Sequence, residues 1–541
     1  MNTKSNINQT TLCDIYTTTV EKYADKIAFS VIDSDTITYR DFGERVETLI
    51  LSMIEAGLKR GDKVAILGEN MPNWVVSHFA VTTSAMVAIP ILSDFTAFEI
   101  VNILEHSDSK ALIVSSKLEY KIPRHLYDRL SLVISMDNLS TLKKPEIASS
   151  LFRDMPSPTD IATIIYTSGT SGASKGVMLT HANLTAQTKM SEELFPINSS
   201  DVFLSILPLS HTYECSIGML LPFSCGASVV YLNGAPTPSL LMPALKRVKP
   251  TIMLSVPLIV EKIYKIKIRP IFTKNLLLRA IYSLWLFRRI FHKAAGKRLS
   301  ESFGGNLRFF GIGGSRLDGV VENFLSDAGF PYAIGYGLTE TSPLLAAAIP
   351  GKVKWQSTGP ALNGVEIKID NPNRENIGEI VVKGPNVMAG YYKDPENTAA
   401  SFTEDGWFRT KDLGFIDSDG FLFIKGRKDN MIINSNGENI YPEDIETVIN
   451  EFDLVLESLV IEKRGKLVAK VYFNYDEIRE SDHLFGDSPA NLTQRVLKAK
   501  IELLEYVNSR VNKGSRLSEI IEQPVPFEKT ATHKIKRYLY N

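Results

Sequence analysis

A run of hydroxyl and glycine residues between two apolar segments is the first part of the sequence that suggests chemistry. Residues 164–184 read IIYTSGTSGASKGVMLTHANL, and 167–174 contain only Thr, Ser, Gly and one Ala before Lys175. Backbone N–H groups and hydroxyls in such a loop suit a polyphosphate, and the lysine adds positive charge. A Walker A loop is excluded because Ser174 precedes the lysine and Gly176 follows it. The stretch predicts phosphate binding; taken alone, a plain surface loop is the alternative.

Five motifs follow the order found in the adenylate-forming enzymes, which include acyl-CoA synthetases, peptide-synthetase adenylation domains and luciferases. The usual Y-T-S-G-(S/T)-(S/T)-G-x-P-K-G-V resembles YTSGTSGASKGV here, with Ser174 in place of the proline. The other motifs are GYGLTETSP (335–343), GWFRTKDLG (406–414), GRKDNMIINSNGENIYPEDIE (426–446) and FEKTATHKIKR (527–537). Because single motifs occur by chance but an ordered set does not, the chain resembles this superfamily from residue 160 to its end.

The resemblance implies a two-step reaction that uses ATP, Mg²⁺ and coenzyme A. A carboxylate attacks the α-phosphate of ATP, giving an acyl-adenylate and pyrophosphate, and a thiol then displaces AMP. Since an anion meets a polyanion, positioned positive charge must carry much of the catalysis. The family pattern assigns Lys534 to the substrate carboxylate and α-phosphate, Thr339 to the α-phosphate, and Glu340 to the metal. By composition alone, Lys534 is equally a residue of a solvated basic tail.

The other predicted site residues also come from the family pattern. His211 and Gly313 are expected near the acyl entrance, and Asn436 and Gly437 beside coenzyme A. The expected nucleotide-binding residues are Thr167, Ser168, Gly169, Thr170, Ser171, Gly172, Lys175, Gly314, Ser315, Tyr336, Gly337, Asp412 and Arg427. Tyr336 is expected to stack on adenine and Asp412 to bind the ribose. Without the motifs, a core tyrosine, surface ion pairs and a packed histidine are the alternatives.

Two departures from the family pattern affect predicted turns. Lys411 replaces the glycine of the usual R-T-G-D, and His533 replaces the glycine before Lys534. Each substitution puts the geometry of its turn in question, because glycine reaches backbone conformations that other residues rarely adopt.

The secondary-structure elements that must position these residues show three kinds of sequence pattern. Apolar β-branched runs at 63–67, 111–116, 132–136, 162–168, 227–232 and 251–256 alternate with helical segments, which predicts α/β layers with largely parallel sheets. From 355 to 426, short alternating strands with Asp-Gly-type turns predict an antiparallel, barrel-like region. The remainder predicts a small α+β domain.

Length and motif placement together predict two domains. A chain of 541 residues exceeds the usual size of one hydrophobic core. We expect an adenylation domain over 1–426 and a mobile domain over 427–541, with the hinge at Asp429. In the family the small domain rotates between the two half-reactions. Arg427 is the first residue of that domain and lies at the predicted junction.

Composition excludes several functional classes. With 60 Lys and Arg against 61 Asp and Glu, the net charge gives no case for bulk nucleic-acid binding. Cys13, Cys215 and Cys225 are too few for a disulfide framework or zinc cluster. No signal peptide or spanning helix is expected, and the reading favours a cytoplasmic enzyme.

The acid that the enzyme activates is the least determined property. LPLSHTYE (207–214) is closest to the long-chain acyl-CoA synthetase form, which favours a long-chain fatty acid–CoA ligase. A fatty acyl–acyl-carrier-protein ligase and a CoA ligase for another acid are the alternatives. Outside enzymology, a catalytically silent nucleotide- or acyl-binding protein at a membrane surface would share these motifs. Oligomeric state is not predicted.

A basic and apolar segment suggests where membrane contact would occur. Residues 265–298 contain ten Lys and Arg residues and no acid. We expect a helix over 276–293 with Arg279, Ser283, Arg289 and Lys293 on one face. Such a helix suits an anionic membrane surface at the inner face of a membrane. A core helix with a solvated basic face is an equal alternative.

Overall fold

The computed structural model of the chain describes residues 10–143, 153–167, 174–273, 278, 281–282, 284–433, 439–452, 454–480, 489–530 and 534–540. The chain forms two compact units. The larger comprises residues 1–316, 324–367 and 382–408, and the smaller comprises 317–323, 368–381 and 409–541. The predicted sites at Ser168, Gly169, Thr170, Ser171, Gly172, Asn436, Gly437 and His533 lie outside the described residues.

The described strands are numbered in chain order. They are β1 (Ile27–Val31), β2 (Thr36–Thr38), β3 (Lys63–Leu67), β4 (Val87–Ile91), β5 (Ser109–Val114), β6 (Leu132–Ser135), β7 (Thr141–Lys143), β8 (Ile161–Thr167), β9 (Lys175–Thr180), β10 (Val202–Ser205), β11 (Ser228–Tyr231), β12 (Ile252–Ser255), β13 (Phe309–Ile312), β14 (Tyr332–Gly337), β15 (Leu344–Ala347), β16 (Glu366–Asp370), β17 (Gly378–Lys383), β18 (Gly390–Tyr391), β19 (Phe408–Ile416), β20 (Leu422–Arg427), β21 (Ile432–Ile433), β22 (Asn439–Ile440), β23 (Val455–Lys463), β24 (Lys466–Phe473) and β25 (Glu519–Glu522).

The α-helices are numbered among the described residues in the same way. They are α1 (Leu12–Tyr23), α2 (Tyr39–Glu55), α3 (Pro72–Thr83), α4 (Ala97–His106), α5 (Arg124–Arg129), α6 (His181–Leu194), α7 (Leu221–Ser224), α8 (Pro238–Val248), α9 (Pro257–Ile263), α10 (Arg269–Thr273), α11 (Trp285–Ser302), α12 (Gly319–Ala328), α13 (Pro395–Ala400), α14 (Pro442–Asn450), α15 (Tyr475–Glu480) and α16 (Pro489–Asn508). Two segments are π-helical, Glu214–Leu220 and Tyr264–Ile268, and short 3₁₀ turns include Thr339–Thr341 and Lys428–Asn430.

Two eight-stranded sheets build the larger unit. The first has the order β15-β14-β13-β12-β10-β11-β1-β2 and the second β18-β9-β8-β4-β3-β5-β6-β7. Strands β14, β13, β12, β10, β11 and β1 run parallel, with antiparallel β15 and β2 at the edges. Parallel strands are covered on both faces, so their sequences are continuously apolar rather than alternating.

Helix α3 shows how completely the larger unit encloses some of its elements. Every residue of α3 is buried, including the polar Ser77 and His78. Aromatic rings pack beside it; the ring centroids of Phe79 and Phe223 lie 4.5 Å apart, and those of Phe42 and Phe79 lie 5.6 Å apart. Burial of such side chains is the main favourable term in folding a domain of this size.

The smaller unit contains most of a four-stranded sheet with the order β16-β17-β19-β20, a β21-β22 ribbon and a three-stranded sheet with the order β23-β24-β25. Its core includes Ile445 and Ile449 of α14, Leu503 and Val507 of α16, and Val471 of β24. The predicted α/β class, with a large unit of two sheets and a smaller second unit, is confirmed.

The predicted strands at 63–67, 132–136 and 251–256 correspond to β3, β6 and β12. The expected continuous helix over 276–293 is wrong. Leu284 is extended, with φ −79° and ψ 120°, and α11 begins only at Trp285. Of the four residues predicted on one face, Arg289 and Lys293 lie on α11, and Arg279 and Ser283 lie outside the described residues. Within the described residues, no helix is long and apolar enough to cross a membrane. The domain boundary and the hinge at Asp429 stay predictions.

Candidate active site

The ends of the hydroxyl-rich loop are held by a β-hairpin. Strands β8 and β9 are antiparallel, and Thr167 pairs with Lys175 at the open end. Tyr166 is buried, and its Oη lies 2.8 Å from Nδ1 of His106. The hairpin therefore fixes Thr167 and Lys175 on adjacent strands, at the two ends of the loop predicted to bind phosphate.

Lys175 and Glu340 meet the same tyrosine side chain. Nζ of Lys175 lies 4.9 Å from the ring centroid of Tyr391, and the Tyr391 hydroxyl donates a 2.9 Å hydrogen bond to Oε1 of Glu340. Strand β18 brings Tyr391 there by pairing with β9, where Tyr391 lies opposite Val177. The backbone also contributes, since Met388 N–H donates to Glu340 C=O at 2.8 Å. The predicted phosphate lysine and metal carboxylate are thus joined through one ring.

Sequence reasoning missed Tyr391. Its only local signal is an aromatic pair, Tyr391 and Tyr392, directly after Gly390. That signal does not indicate a partner 51 residues earlier in the chain. The partnership depends on a strand pairing that the sequence pattern did not predict.

The turn that carries Thr339 and Glu340 is tightly constrained. It follows β14, in which Tyr336 is buried, and a Cβ added at Gly337 would overlap the carbonyl oxygen of Pro343. Only glycine fits at that approach. The Nδ2 group of buried Asn386 donates to Thr341 C=O and Leu344 C=O at 2.8 and 2.9 Å, which holds both sides of the turn. Thr339 and Glu340 are half-buried at its tip.

The glycine segment at the end of β13 lies beside this turn. Strands β13 and β14 are parallel neighbours, so their carboxyl ends share an edge, which is where ligands bind in open α/β sheets. Gly313 is buried, whereas Gly314 and Ser315 are exposed. Gly314 has φ +93°, a conformation that favours glycine. The structure therefore brings the predicted residues of β13 and β14 to one sheet edge.

An apolar cavity lies within the first sheet and the helices that cover it. Tyr213, Ile217 and Leu221 line one side. The strands and α6 supply the remainder of the lining: Ser191, Leu194, Phe195, Ile197, Phe203, Ile252, Leu254, Phe309, Gly311, Ile312, Ala333, Ile334, Gly335, Leu344, Ala347 and Ala348. None of these described lining residues is charged. The chemistry of this lining is that of a site for an apolar ligand.

The two predicted acyl-entrance residues both lie against Tyr213. Nδ1 of half-buried His211 accepts a 3.2 Å hydrogen bond from Tyr213 N–H. A Cβ added at Gly313 would lie 3.3 Å from the Tyr213 ring. Tyr213 itself lines the cavity. His211 and Gly313 therefore position the lining tyrosine that the sequence reading overlooked.

Glu214 starts the π-helical segment next to this cavity and is almost fully buried. Burial raises the pKa of its carboxyl group to about 8, an effect that a hydrogen bond with Ser205 partly offsets. Its Oε2 has no hydrogen-bond partner among the described residues. Nearby, burial lowers the pKa of His78 to about 3, so that ring is neutral. Both side chains are uncharged at neutral pH, which suits an apolar surrounding.

In the smaller unit, Asp412 and Arg427 form a direct cross-strand pair. They are register partners on β19 and β20, and Nε of Arg427 lies 3.3 Å from Oδ1 of buried Asp412. Lys411, which stands at the family's glycine position, has φ +61°. The turn thus keeps a left-handed conformation despite its non-glycine residue. Nζ of Lys411 lies 3.8 Å from a carboxylate oxygen of exposed Asp429.

Lys534 is exposed in a turn that ion pairs anchor on both sides. Thr530 N–H donates a 2.8 Å hydrogen bond to Lys534 C=O. The backbones of Lys529 and Ile535 form an isolated antiparallel β-bridge. Arg537 pairs with half-buried Glu446 at 2.8 Å, and Lys529 pairs with Glu457 at 2.5 Å. These contacts hold the described residues that flank 531–533, and Lys534 is exposed.

A single carboxylate with an adjacent hydroxyl is a reasonable site for magnesium. Mg²⁺ keeps several waters and is commonly held by one or two carboxylates together with substrate phosphates. Glu340 and Thr339 supply that donor set. No group of three or more His, Cys, Asp or Glu able to hold a metal occurs in the part of the chain that the structure describes. Glu340 therefore fits a metal that arrives with a nucleotide.

The hairpin that carries Thr167 and Lys175 belongs to the second sheet, whereas the carboxylate turn and the apolar cavity belong to the first. Tyr391 links Lys175 to Glu340, and this arrangement is that of an adenylate-forming enzyme. The chain belongs to the AMP-binding enzyme family, whose pattern matches residues 16–392. It is therefore an acid–thiol ligase that activates its acid with ATP.

Curated relatives and solved structures agree with this membership. A long-chain-fatty-acid–CoA ligase of Mycobacterium bovis is 28% identical, covering 93% of this chain and 90% of that protein. Long-chain-fatty-acid–CoA ligase 5 of Mus musculus is 30% identical, covering 78% and 68%. A chloroplastic long-chain-fatty-acid–acyl-carrier-protein ligase of Arabidopsis thaliana is 27% identical, covering 87% and 77%.

Among solved structures, an anthranilate CoA ligase in complex with anthranoyl-AMP has a TM-score of 0.80 at 20% identity, covering 100% of this chain and 98% of that chain. The o-succinylbenzoate coenzyme A synthetase of Bacillus subtilis, in complex with ATP and magnesium, has a TM-score of 0.76 at 25% identity, covering 97% and 98%. These likenesses establish the fold.

Proposed function

We propose that the chain is a long-chain fatty acid–CoA ligase that forms acyl-CoA, AMP and pyrophosphate through an acyl-adenylate. The observation that carries this proposal is the apolar cavity, whose described lining contains no charged residue. A hydrocarbon chain gains free energy by leaving water for such a surface, at about 25 cal/mol for each Å² buried. A dicarboxylic acid would leave a charge without a partner there.

The position of the cavity supports the same proposal. Its lining includes Ile312 of β13 and Gly335 of β14, one residue before Gly313 and Tyr336 respectively. An acyl chain in the cavity would direct its carboxylate toward the sheet edge that carries Thr339 and Glu340. Positioning a carboxylate in this way contributes to catalysis by converting a bimolecular step into a local one.

In the first half-reaction, a carboxylate oxygen bonds to the α-phosphorus of ATP and the bond to pyrophosphate breaks. We assign Lys175 to the departing phosphates and Thr339 to the α-phosphate. We assign Lys534 to the negative charge of the substrate carboxylate and the α-phosphate during adenylation. When bound, magnesium would neutralise phosphate charge, and Glu340 would hold it. In the second half-reaction, the thiol bonds to the acyl carbon and AMP leaves.

Pyrophosphate release with acids from hexanoate to stearate, with and without CoA, tests the proposal. We expect CoA-stimulated turnover with its highest kcat/KM for long chains. A maximum with short, aromatic or dicarboxylic acids would contradict the long-chain assignment while leaving the family chemistry intact.

A carrier-protein acceptor is the second candidate, which the Arabidopsis relative favours. Parallel assays with CoA and with holo-acyl-carrier protein separate the two. Acid-dependent pyrophosphate release that the carrier protein stimulates, and CoA does not, would transfer the proposal to that acceptor.

A further inference from the structure

Helix α11 exposes an apolar face that nothing in the ligase chemistry uses. Leu286, Phe287 and Ile290 are 60%, 46% and 56% exposed in its first two turns, and the preceding Leu284 is 55% exposed. Single exposed apolar residues are ordinary, but contiguous large ones mark interaction sites.

The opposite face of α11 is firmly packed, which fixes the direction of the exposed one. His292, Ala295 and Leu299 are buried. Nδ1 of His292 lies 2.9 Å from an oxygen of Asp327, and a Cβ added at Gly296 would press against Ala328. The helix therefore cannot rotate to bury its apolar residues without losing these contacts.

Basic side chains follow the apolar ones on the exposed face of α11, toward the carboxyl end of the helix. Lys293 and Lys297 follow Ile290 at helical spacing and are exposed. Within the described part of the chain, no carboxylate forms an ion pair with either lysine. The surrounding sequence, 265–300, contains ten Lys and Arg residues and no acid.

We propose that Leu284, Leu286, Phe287, Ile290, Lys293 and Lys297, here called the α11 surface, dock the protein on a bilayer that contains anionic phospholipid. Apolar side chains of this kind enter the boundary between headgroups and acyl chains, while lysines are attracted to anionic headgroups. Charge complementarity selects a lipid surface over an apolar protein groove, because the exposed residues that continue the apolar face along α11 are Lys293 and Lys297. This inference goes beyond the proposed function, since docking does not depend on which acid is activated.

Co-sedimentation of the full chain with vesicles tests the inference directly. We expect binding to vesicles of phosphatidylcholine with phosphatidylglycerol, weaker binding to phosphatidylcholine alone, and loss of the difference at high salt. The double variant Lys293→Gln/Lys297→Gln should lower affinity for anionic vesicles roughly tenfold or more. The triple variant Leu286→Ser/Phe287→Ser/Ile290→Ser should lower binding to both vesicle types.

A matched control is available on α16. Leu497 and Ile501 are 56% and 53% exposed and also one turn apart. Leu497→Ser/Ile501→Ser removes two large exposed apolar side chains from another helix and should leave vesicle binding unchanged. Thermal unfolding of each variant verifies that the fold is intact.

Three results would overturn the inference. They are an absence of wild-type binding to anionic vesicles, equal binding by the triple variant and the control, and a wild-type oligomer that the triple substitution dissociates without changing vesicle binding. The last result would make the α11 surface a contact between copies of the chain.

Discussion

The hydroxyl of Tyr391 donates a 2.9 Å hydrogen bond to the Glu340 carboxylate while the Tyr391 ring lies under Lys175. One side chain thereby orients the carboxylate assigned to magnesium and the cation assigned to phosphate. A hydrogen bond to a charged group contributes about 1.5–3 kcal/mol, and a cation–π contact about 0.5–2 kcal/mol. Tyr391 is in our view a positioning residue for both.

Tyr391→Phe should lower kcat/KM for MgATP by about tenfold or more, because the ring stays but the hydrogen bond to Glu340 is lost. Magnesium titrations of pyrophosphate release should show a raised requirement for the metal. Tyr392→Phe is the control, since its hydroxyl donates to Asp108 at the surface. Equal magnesium dependence in the two variants would remove the assigned role.

Lys534→Ala should slow adenylation by on the order of a hundredfold, since a charge that meets developing anionic character is lost. Thioester formation from supplied acyl-adenylate should persist. Lys536→Ala, two residues away, is the matched control. Equal loss of both half-reactions in Lys534→Ala would contradict the role assigned to this lysine.

Ala333→Leu should shift the preferred acid toward shorter chains, because Ala333 lines the cavity and added methyl groups would occupy its volume. Added methyl groups cost about 1–3 kcal/mol of stability where the space is already filled. A loss of that size in the free energy of unfolding would therefore mark a filled site. The measurement is the ratio of kcat/KM for stearate to that for octanoate. An unchanged ratio would mean that the cavity does not hold the acyl chain.

The buried Glu214 predicts a pH-dependent stability. Its pKa is raised from 4.5 to about 8 in the folded chain, so its favourable contribution is complete below 4.5 and is lost as pH rises through 8. His78, whose pKa is lowered, adds a slope of opposite sign that fades above pH 6.5 and is the same in wild type and in Glu214→Gln. Glu214→Gln should flatten the decline by up to about 1.4 kcal/mol per pH unit.

Denaturant unfolding of wild type and Glu214→Gln across that pH range measures the difference. Glu192→Gln, at an exposed position on α6, serves as the control. Parallel pH profiles for wild type and Glu214→Gln would show that Glu214 is ionised in the fold.

The sequence was sufficient for features that local pattern determines. Buried parallel strands produce continuous apolar runs, so β3, β6 and β12 were predictable. Gly337 was identified by its motif, and its physical reason is the close approach of Pro343. Asp412 and Arg427 were both predicted, and the structure adds that they pair across β19 and β20.

Features that depend on distant pairing were not predictable. Tyr391 reaches Glu340 only because β18 pairs with β9. The helix predicted over 276–293 failed because apolar periodicity continues through Leu284, where the backbone turns extended. Lys411 keeps a φ of +61° although a lysine replaced the expected glycine, since the surrounding strand pairing determines the conformation there.

The fate of the substrate's carboxylate oxygen tests the central claim most directly. Hexadecanoate labelled with heavy oxygen in its carboxylate is incubated with the protein, ATP, magnesium and CoA. The masses of the products are then measured by mass spectrometry. Our account predicts palmitoyl-CoA and an AMP that carries one labelled oxygen, because the attacking oxygen leaves with AMP when the thiol enters. Labelled inorganic phosphate with ADP, or unlabelled AMP, would contradict an acyl-adenylate pathway.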